Sequence, residues 1–137
     1  MVKEVKIGGK KCRLKSSAAV VRMYREKFKE DVIVAMNEIF MSIAQRSQIN
    51  KEIEEAAKKE GKEAKKVSED LLPEHTKTLE NFAYILHKNG DPSQPDEITE
   101  WLEQFGLTGI YDIFSELIDI WIEENKQIAT AKKKSGE

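Results

Sequence analysis

The stretch "VKIGGKKCRLKSSAAVVRMYREKFKED", residues 5–31, sets two structural periods side by side. Its first part alternates. Val5 and Ile7 fall on one face and so do Cys12 and Leu14, because strand side chains point to opposite sides in turn. Gly8-Gly9 between them supplies the positive φ values that a tight hairpin turn needs. A two-residue loop pairs Val5 with Cys12 and a four-residue loop pairs Ile7 with Cys12. The register is open, but both choices keep the same apolar face. From Ser16-Ser17 onward the period becomes helical. An isolated two-stranded hairpin is marginal in water and has to lie on something, so the reading is an α+β protein, mainly α. It consists of a hairpin over residues 2–15 packed on a bundle of about five helices.

Working outward, the first helix spans about 17–29, with Ser16 or Ser17 as a cap that accepts a free backbone N–H. Val20, Met23, Tyr24 and Phe28 form its stripe, and Arg22, Arg25, Glu26 and Lys29 lie mostly outside it. Asp31 caps a second helix over 32–47, whose apolar face is Val32, Met36, Ile39, Phe40 and Ile43. The segment 48–70, which contains "INKEIEEAAKKEGKEAKKVSED", has almost nothing large to bury. It is expected to be a frayed helical or disordered connector, or a solvated arm that orders on a partner. Pro73 suits a first helical position and opens a third helix over 73–88, with Leu72, Leu79, Phe82, Ala83 and Leu86 in step. Asn89-Gly90 suits a left-handed exit. A short helix over 95–105 presents Ile98, Trp101, Leu102 and Phe105. Thr108 then caps a last helix over 109–127. Ile110, Ile113, Phe114, Leu117, Ile118, Trp121 and Ile122 cover so much of that helix that it is either central or shared with a partner. Residues 1–130 make one domain, and 131–137 read as a disordered basic tail.

The remaining signals mostly exclude. A chain of 137 residues holds one domain with a real core. With 35% charged residues it is polar for a compact globule, so part of it is expected to be extended or waiting for a partner. A net charge of −2 gives no global attraction to DNA or to an anionic membrane. The single cysteine, Cys12, excludes an internal disulfide and reads as a small buried side chain. With no apolar leader and no run of membrane-span length, the expectation is a soluble intracellular protein that engages no membrane.

Asp112, Glu116, Asp119 and Glu123 recur at helical steps and are the one carboxylate constellation, which would suit a small metal-dependent enzyme. Neither a histidine nor a loop carbonyl accompanies them, and a solvated face is the reading. His75 and His87 have no nucleophile–base or metal-binding signature beside them. Gly8-Gly9 is followed by a strand and not by a phosphate-loop helix. No enzyme, no cofactor and no metal are expected. Lys10, Lys11, Arg13, Lys15, Arg22 and Arg25 form a local basic patch, and an alternative reading as a small helical DNA-associated regulator rests on it. Tyr24 and Phe28 beside it fit a core stripe better than a base-stacking surface.

The order of elements carries a resemblance. A glycine-turn hairpin, a Ser-opened helix and a second helix precede a charged segment. Then come "LENFAYILHKNGDP" (79–92), "EITEWLEQFG" (97–106), an apolar helix and the lysine-rich "ATAKKKSGE". This resembles the tail assembly chaperones of long-tailed bacteriophages, especially those of Gram-positive hosts, over nearly the whole chain. The resemblance implies a non-enzymatic protein of the host cytoplasm, absent from the finished virion. Its partner would be the tape measure protein, kept soluble until tail tube subunits polymerise around it. A longer frameshifted product is common in the family, and Lys132-Lys133-Lys134 is the place to look for one. Trp101, Phe105, Phe114, Leu117 and Trp121 are the expected partner-binding residues, since aromatic anchors dominate such contacts. The plain alternative is that these faces meet each other in the core. The outer edge of the hairpin offers pairing to a tail tube subunit or to a second copy.

Overall fold

In the computed structural model, the described residues are 1–135 for the backbone and 1–125 for the side chains. Strands β1 (Val2–Ile7) and β2 (Lys10–Lys15) form an antiparallel hairpin in the two-residue register, with Val5 opposite Cys12 and Ile7 opposite Lys10. Gly8 and Gly9 turn it at φ +56° and +82°, a conformation that side-chain-bearing residues resist. Val5, Ile7, Cys12 and Leu14 are all buried, so the hairpin does lay one face on the helices.

Helix α1 (Ala18–Phe28) buries Val20 and Tyr24, with Met23 and Phe28 half-buried. Neither serine caps it through its side chain. Ser17 occupies the cap position without such a bond, and its hydroxyl instead accepts from Asn89 Nδ2 at 3.2 Å. The Ser16 hydroxyl donates to Glu124 at 2.6 Å. Asp31 does cap α2, accepting from the backbone of Ile33 at 2.8 Å and Val34 at 3.3 Å.

Helix α2 runs Val32–Glu60, far past the expected end at 47. At 1.5 Å per residue its 29 residues reach about 40 Å. It ends at Gly61, whose N–H donates to the carbonyls of Ala57 and Lys58. The first half of the presumed connector is therefore the distal half of α2, and the second half runs back along it. Asn50 holds the two together. Its side-chain amide donates to the Val67 carbonyl at 2.9 Å, and its oxygen accepts the Val67 N–H at 2.8 Å. Only 6% exposed, Asn50 stands in for a paired strand. Arg46 reaches the carbonyls of Ser68 and Asp70 at 3.0 and 2.6 Å, and Lys66 pairs with Glu54. Order here comes from side chains that satisfy an extended backbone, with little apolar burial. That is why a hydrophobic pattern did not reveal it.

Helix α3 (Pro73–Gly90) is the centre of the molecule. It touches β2, α1, α2, α4 and α5, and every residue from Asn81 to His87 is buried. Pro73 stands in its first turn as expected. Its exit differs from the expectation, because Gly90 is not left-handed. The glycine is needed for a close approach: a Cβ there would sit 2.2 Å from the carbonyl oxygen of Arg13 on β2. Beside it, Asn89 Nδ2 donates to the Lys15 carbonyl at 2.9 Å.

Helix α4 is only Ile98–Leu102, shorter than the expected 95–105. The residues before it are already bonded to α3. The Tyr84 hydroxyl donates to the Pro95 carbonyl at 2.6 Å. Lys88 Nζ binds the Pro92 carbonyl at 3.0 Å, the Asp96 carboxylate at 2.8 Å and the Gln94 carbonyl. Asp91 accepts from the Ser93 backbone, the Ser93 hydroxyl and Gln94 Nε2, and these bonds hold its carboxyl down at about 2. Carbonyls held by α3 are not free for helix.

The last helix opens as a 3₁₀ turn (Gly109–Ile113) and continues as α5 (Phe114–Ser135). Thr108 makes no side-chain cap. Ile110, Ile113, Phe114, Leu117, Ile120 and Trp121 are buried, whereas Ile122 is exposed. The apolar arc is thus narrower than its composition suggests, and α3, not this helix, is central. The backbone of α5 continues helical past the expected end at 127 and through 131–135 of the tail expected to be disordered, whereas the side chains of 131–135 and the whole of 136–137 lie outside the described residues.

Candidate functional site

Four of the five residues expected to contact a partner belong to the core. Trp101 and Leu117 are fully buried, and Phe114 and Trp121 nearly so. Trp101 is fixed twice over. Its Nε1 donates to His87 Nδ1 at 2.9 Å, and its ring packs edge-on against Tyr84 at 5.5 Å and Phe105 at 5.0 Å between centroids. To accept that bond His87 must be neutral at Nδ1, and burial pushes its pKa below the usual histidine range. Phe82 meets Trp121 edge-on at 5.9 Å. The faces of the short helix and the last helix therefore both belong to the core, each packed on α3 and not on the other as the plain alternative had it.

Phe105 is different. It is half-buried and lines an open groove of about 370 Å³ between α4 and the 3₁₀ turn. Leu102, Leu107, Ile110 and Tyr111 complete the apolar lining. Leu107 is 96% exposed and Tyr111 49% exposed, which is unusual for side chains of this size gathered together. The groove exists because the chain leaves α4 in a series of single turns. The N–H groups of Gln104, Phe105 and Gly109 bond to the carbonyls of Trp101, Leu102 and Gly106. With Trp101 anchored inward, Phe105 reaches its ring from the next turn and Leu107 is carried over the outside. The Tyr111 ring rests on Phe114 at 5.0 Å, so the groove is built directly on the core. Gln104 ties down the segment that follows α4: its Oε1 accepts from Lys10 at 2.7 Å, and its Nε2 donates to Gln94 at 3.1 Å and to the Trp101 carbonyl at 3.2 Å. Two carboxylates, Glu80 and Glu103, complete the lining together with Thr99, and no lysine or arginine is among the lining residues.

Leu107 and Tyr111 were invisible to a search for helical stripes, because one lies in a turn and the other in a 3₁₀ segment. The usable signal was an apolar residue directly after Gly106, where a turn would ordinarily be polar.

Elsewhere the chemistry is sparse. A larger cavity of about 530 Å³ between the N-termini of α2 and α3 is lined mainly by polar side chains, including Glu30, Asp31, Glu38 and Glu74. His75 is part of that lining, and its Nδ1 accepts the Leu72 N–H at 3.2 Å. Among the described residues, no three His, Cys, Asp or Glu side chains are placed to share a metal ion. Asp112, Asp119 and Glu123 are exposed on separate turns, and Glu116 is half-buried with one carboxylate oxygen meeting no donor. Cys12 is buried, which raises its thiol pKa and leaves little reactive thiolate. The basic residues near the hairpin are exposed, with Arg22 paired to Glu26 at 3.0 Å, and Tyr24 beside them is in the core. Among the described residues, no helix is long and apolar enough to cross a membrane. No protein-family model matches the chain, and comparisons with curated proteins and with solved structures return no match.

Proposed function

We propose that this protein is a tail assembly chaperone of a long-tailed bacteriophage, which binds the tape measure protein and keeps it soluble while the tail tube polymerises. The observation that carries the reading is the apolar groove, with Leu107 almost wholly in water above a floor of Phe105 and Ile110. A holding chaperone needs an accessible apolar surface on a stable body, and it needs no reacting groups. The resemblance in element order along the chain supports the same role. In this reading the protein acts in the host cytoplasm and is left out of the finished virion. Its contact surface is the groove, with Phe105 retained from the residues expected at first and Leu107 and Tyr111 added.

Co-expression with the tape measure protein encoded nearby tests it. The tape measure should remain in the soluble fraction and copurify with this protein, and a Leu107→Asp variant should lose that effect. At 96% exposure Leu107 contributes almost nothing to folding, so this substitution separates binding from stability. A wild-type protein that neither copurifies with the tape measure nor changes its solubility would rule the chaperone role out.

A further inference from the structure

We infer that the groove between α4 and the 3₁₀ turn takes an amphipathic helix bearing a lysine or arginine, whose charged end pairs with Glu80 while its apolar stripe covers Leu107, Tyr111 and Phe105. This deepens the chaperone reading and rests on it, because it names the chemistry of the tape measure segment that binds.

Glu80 carries the argument. It is half-buried on the exposed side of α3, beneath the groove. No ion pair or hydrogen bond reaches its carboxylate from any described residue. Its pKa is raised, and burial is the sole cause. A partly desolvated carboxylate without a partner is a standing cost to the free protein, and a cation brought by a ligand removes it. Glu103 adds a second negative charge to the lining, and no lysine or arginine lies there to compete. Complementary charge at the edge of an apolar contact sets register and rejects wrong partners more than it adds raw affinity. An acidic or uncharged amphipathic helix would place nothing opposite Glu80 and would bind less well. The outer face of the hairpin is basic, with Lys6, Lys11, Arg13 and Lys15 exposed, and a basic segment is repelled there and directed to the groove.

The test uses overlapping 20-residue peptides that span the tape measure protein, titrated against the full chain by fluorescence anisotropy. Binding peptides should share apolar residues at helical spacing and one lysine or arginine beside that stripe. Replacing that basic residue by glutamine should weaken binding to the wild type about tenfold, a difference of about 1.4 kcal/mol. The same replacement should change little against Glu80→Gln. Glu80→Lys should abolish binding of the basic peptide and accept one carrying glutamate instead. Equal losses against wild type and Glu80→Gln would overturn the inference. So would peptides that bind undiminished to Leu107→Asp, which would place the tape measure elsewhere and leave the chaperone role standing. Absence of binding by the intact tape measure as well as by every peptide would overturn both.

Discussion

Gly90→Ala is the most revealing substitution in this fold, because two physical effects predict opposite signs. Alanine is the better helix former by about 1 kcal/mol in a helix interior, and Gly90 is the last residue of α3. On propensity alone the variant should be slightly more stable. The structure places the new Cβ 2.2 Å from the Arg13 carbonyl oxygen, 3.0 Å from its carbon and 3.3 Å from the Lys15 nitrogen. These are backbone atoms of a paired strand and cannot turn aside as a side-chain tip would. Relieving the clash requires the end of α3 to lift from β2 by about 1 Å, since unbonded carbon and oxygen settle well beyond 3 Å. That displacement strains or breaks the two Asn89 bonds, to the Lys15 carbonyl at 2.9 Å and to Ser17 at 3.2 Å. Overpacking typically costs about 1–3 kcal/mol, and each lost hydrogen bond about 1 kcal/mol. After the propensity gain the net loss is about 2–4 kcal/mol. At a few degrees per kcal/mol for a domain of this size, that lowers Tm by about 10 °C. Urea unfolding followed by the fluorescence of the two buried tryptophans measures it directly. A Gly90→Ala protein as stable as wild type, or more so, would show that the helix end slides freely over the strand and that the close approach specifies nothing.

Three further outcomes are expected. His87 is neutral in the fold with its pKa depressed, so below about pH 6.5 the unfolded chain binds more protons than the folded one. Stability should therefore be full well above that pH and fall as the pH drops through it and below, and His87→Gln should flatten this part of the urea-midpoint profile. An unchanged slope in the variant would remove His87 from the explanation. Asn50→Ala deletes both bonds to Val67, about 1–2 kcal/mol of local stability. Amide exchange of residues 62–70 should then accelerate while α3 stays protected; slowing or no change there would contradict the strand-like role given to Asn50. Trp101→Ala empties a fully buried site and loses the bond to His87. It should cost about 3–5 kcal/mol in unfolding free energy, and a mild effect would return Trp101 to the surface.

What was legible in the sequence was what obeys a period. The hairpin face, the stripes of α1 and the first half of α2, and the proline-opened α3 all follow from alternation or helical spacing, and the buried residues match them. The errors have physical causes of their own. The run Asn81–His87 is buried on every side, and a central helix carries no stripe to distinguish it. The arm beyond residue 47 is held by Asn50 and Arg46 acting on backbone and by Lys66 paired with Glu54, which leaves no hydrophobic trace. The glycine at 90 was correctly marked as special, but for a backbone angle it does not adopt. The proposed site divided in the same way. Trp101, Phe114 and Trp121, with helical spacing, turned out to be core because spacing is what core demands, whereas Phe105 is half-buried at the groove and Leu107 and Tyr111, outside any stripe, are its most exposed apolar residues.

The centrality of α3 has a consequence for how the protein is made. The hairpin, α1 and α2 all precede α3 in the chain and all rest on it, and the Asn89–Lys15 bond joins residues 74 apart. A ribosome adds about 5–20 residues per second, so several seconds separate the release of β2 from the arrival of its support. Through that interval Val5, Ile7, Cys12 and Leu14 have no surface to cover them, and a two-stranded hairpin does not hold itself. The nascent N-terminal half thus carries apolar faces that stay uncovered while the rest of the chain is made. The long loops close only when residues 73–90 emerge beneath β2 and residues 109–113 beneath β1.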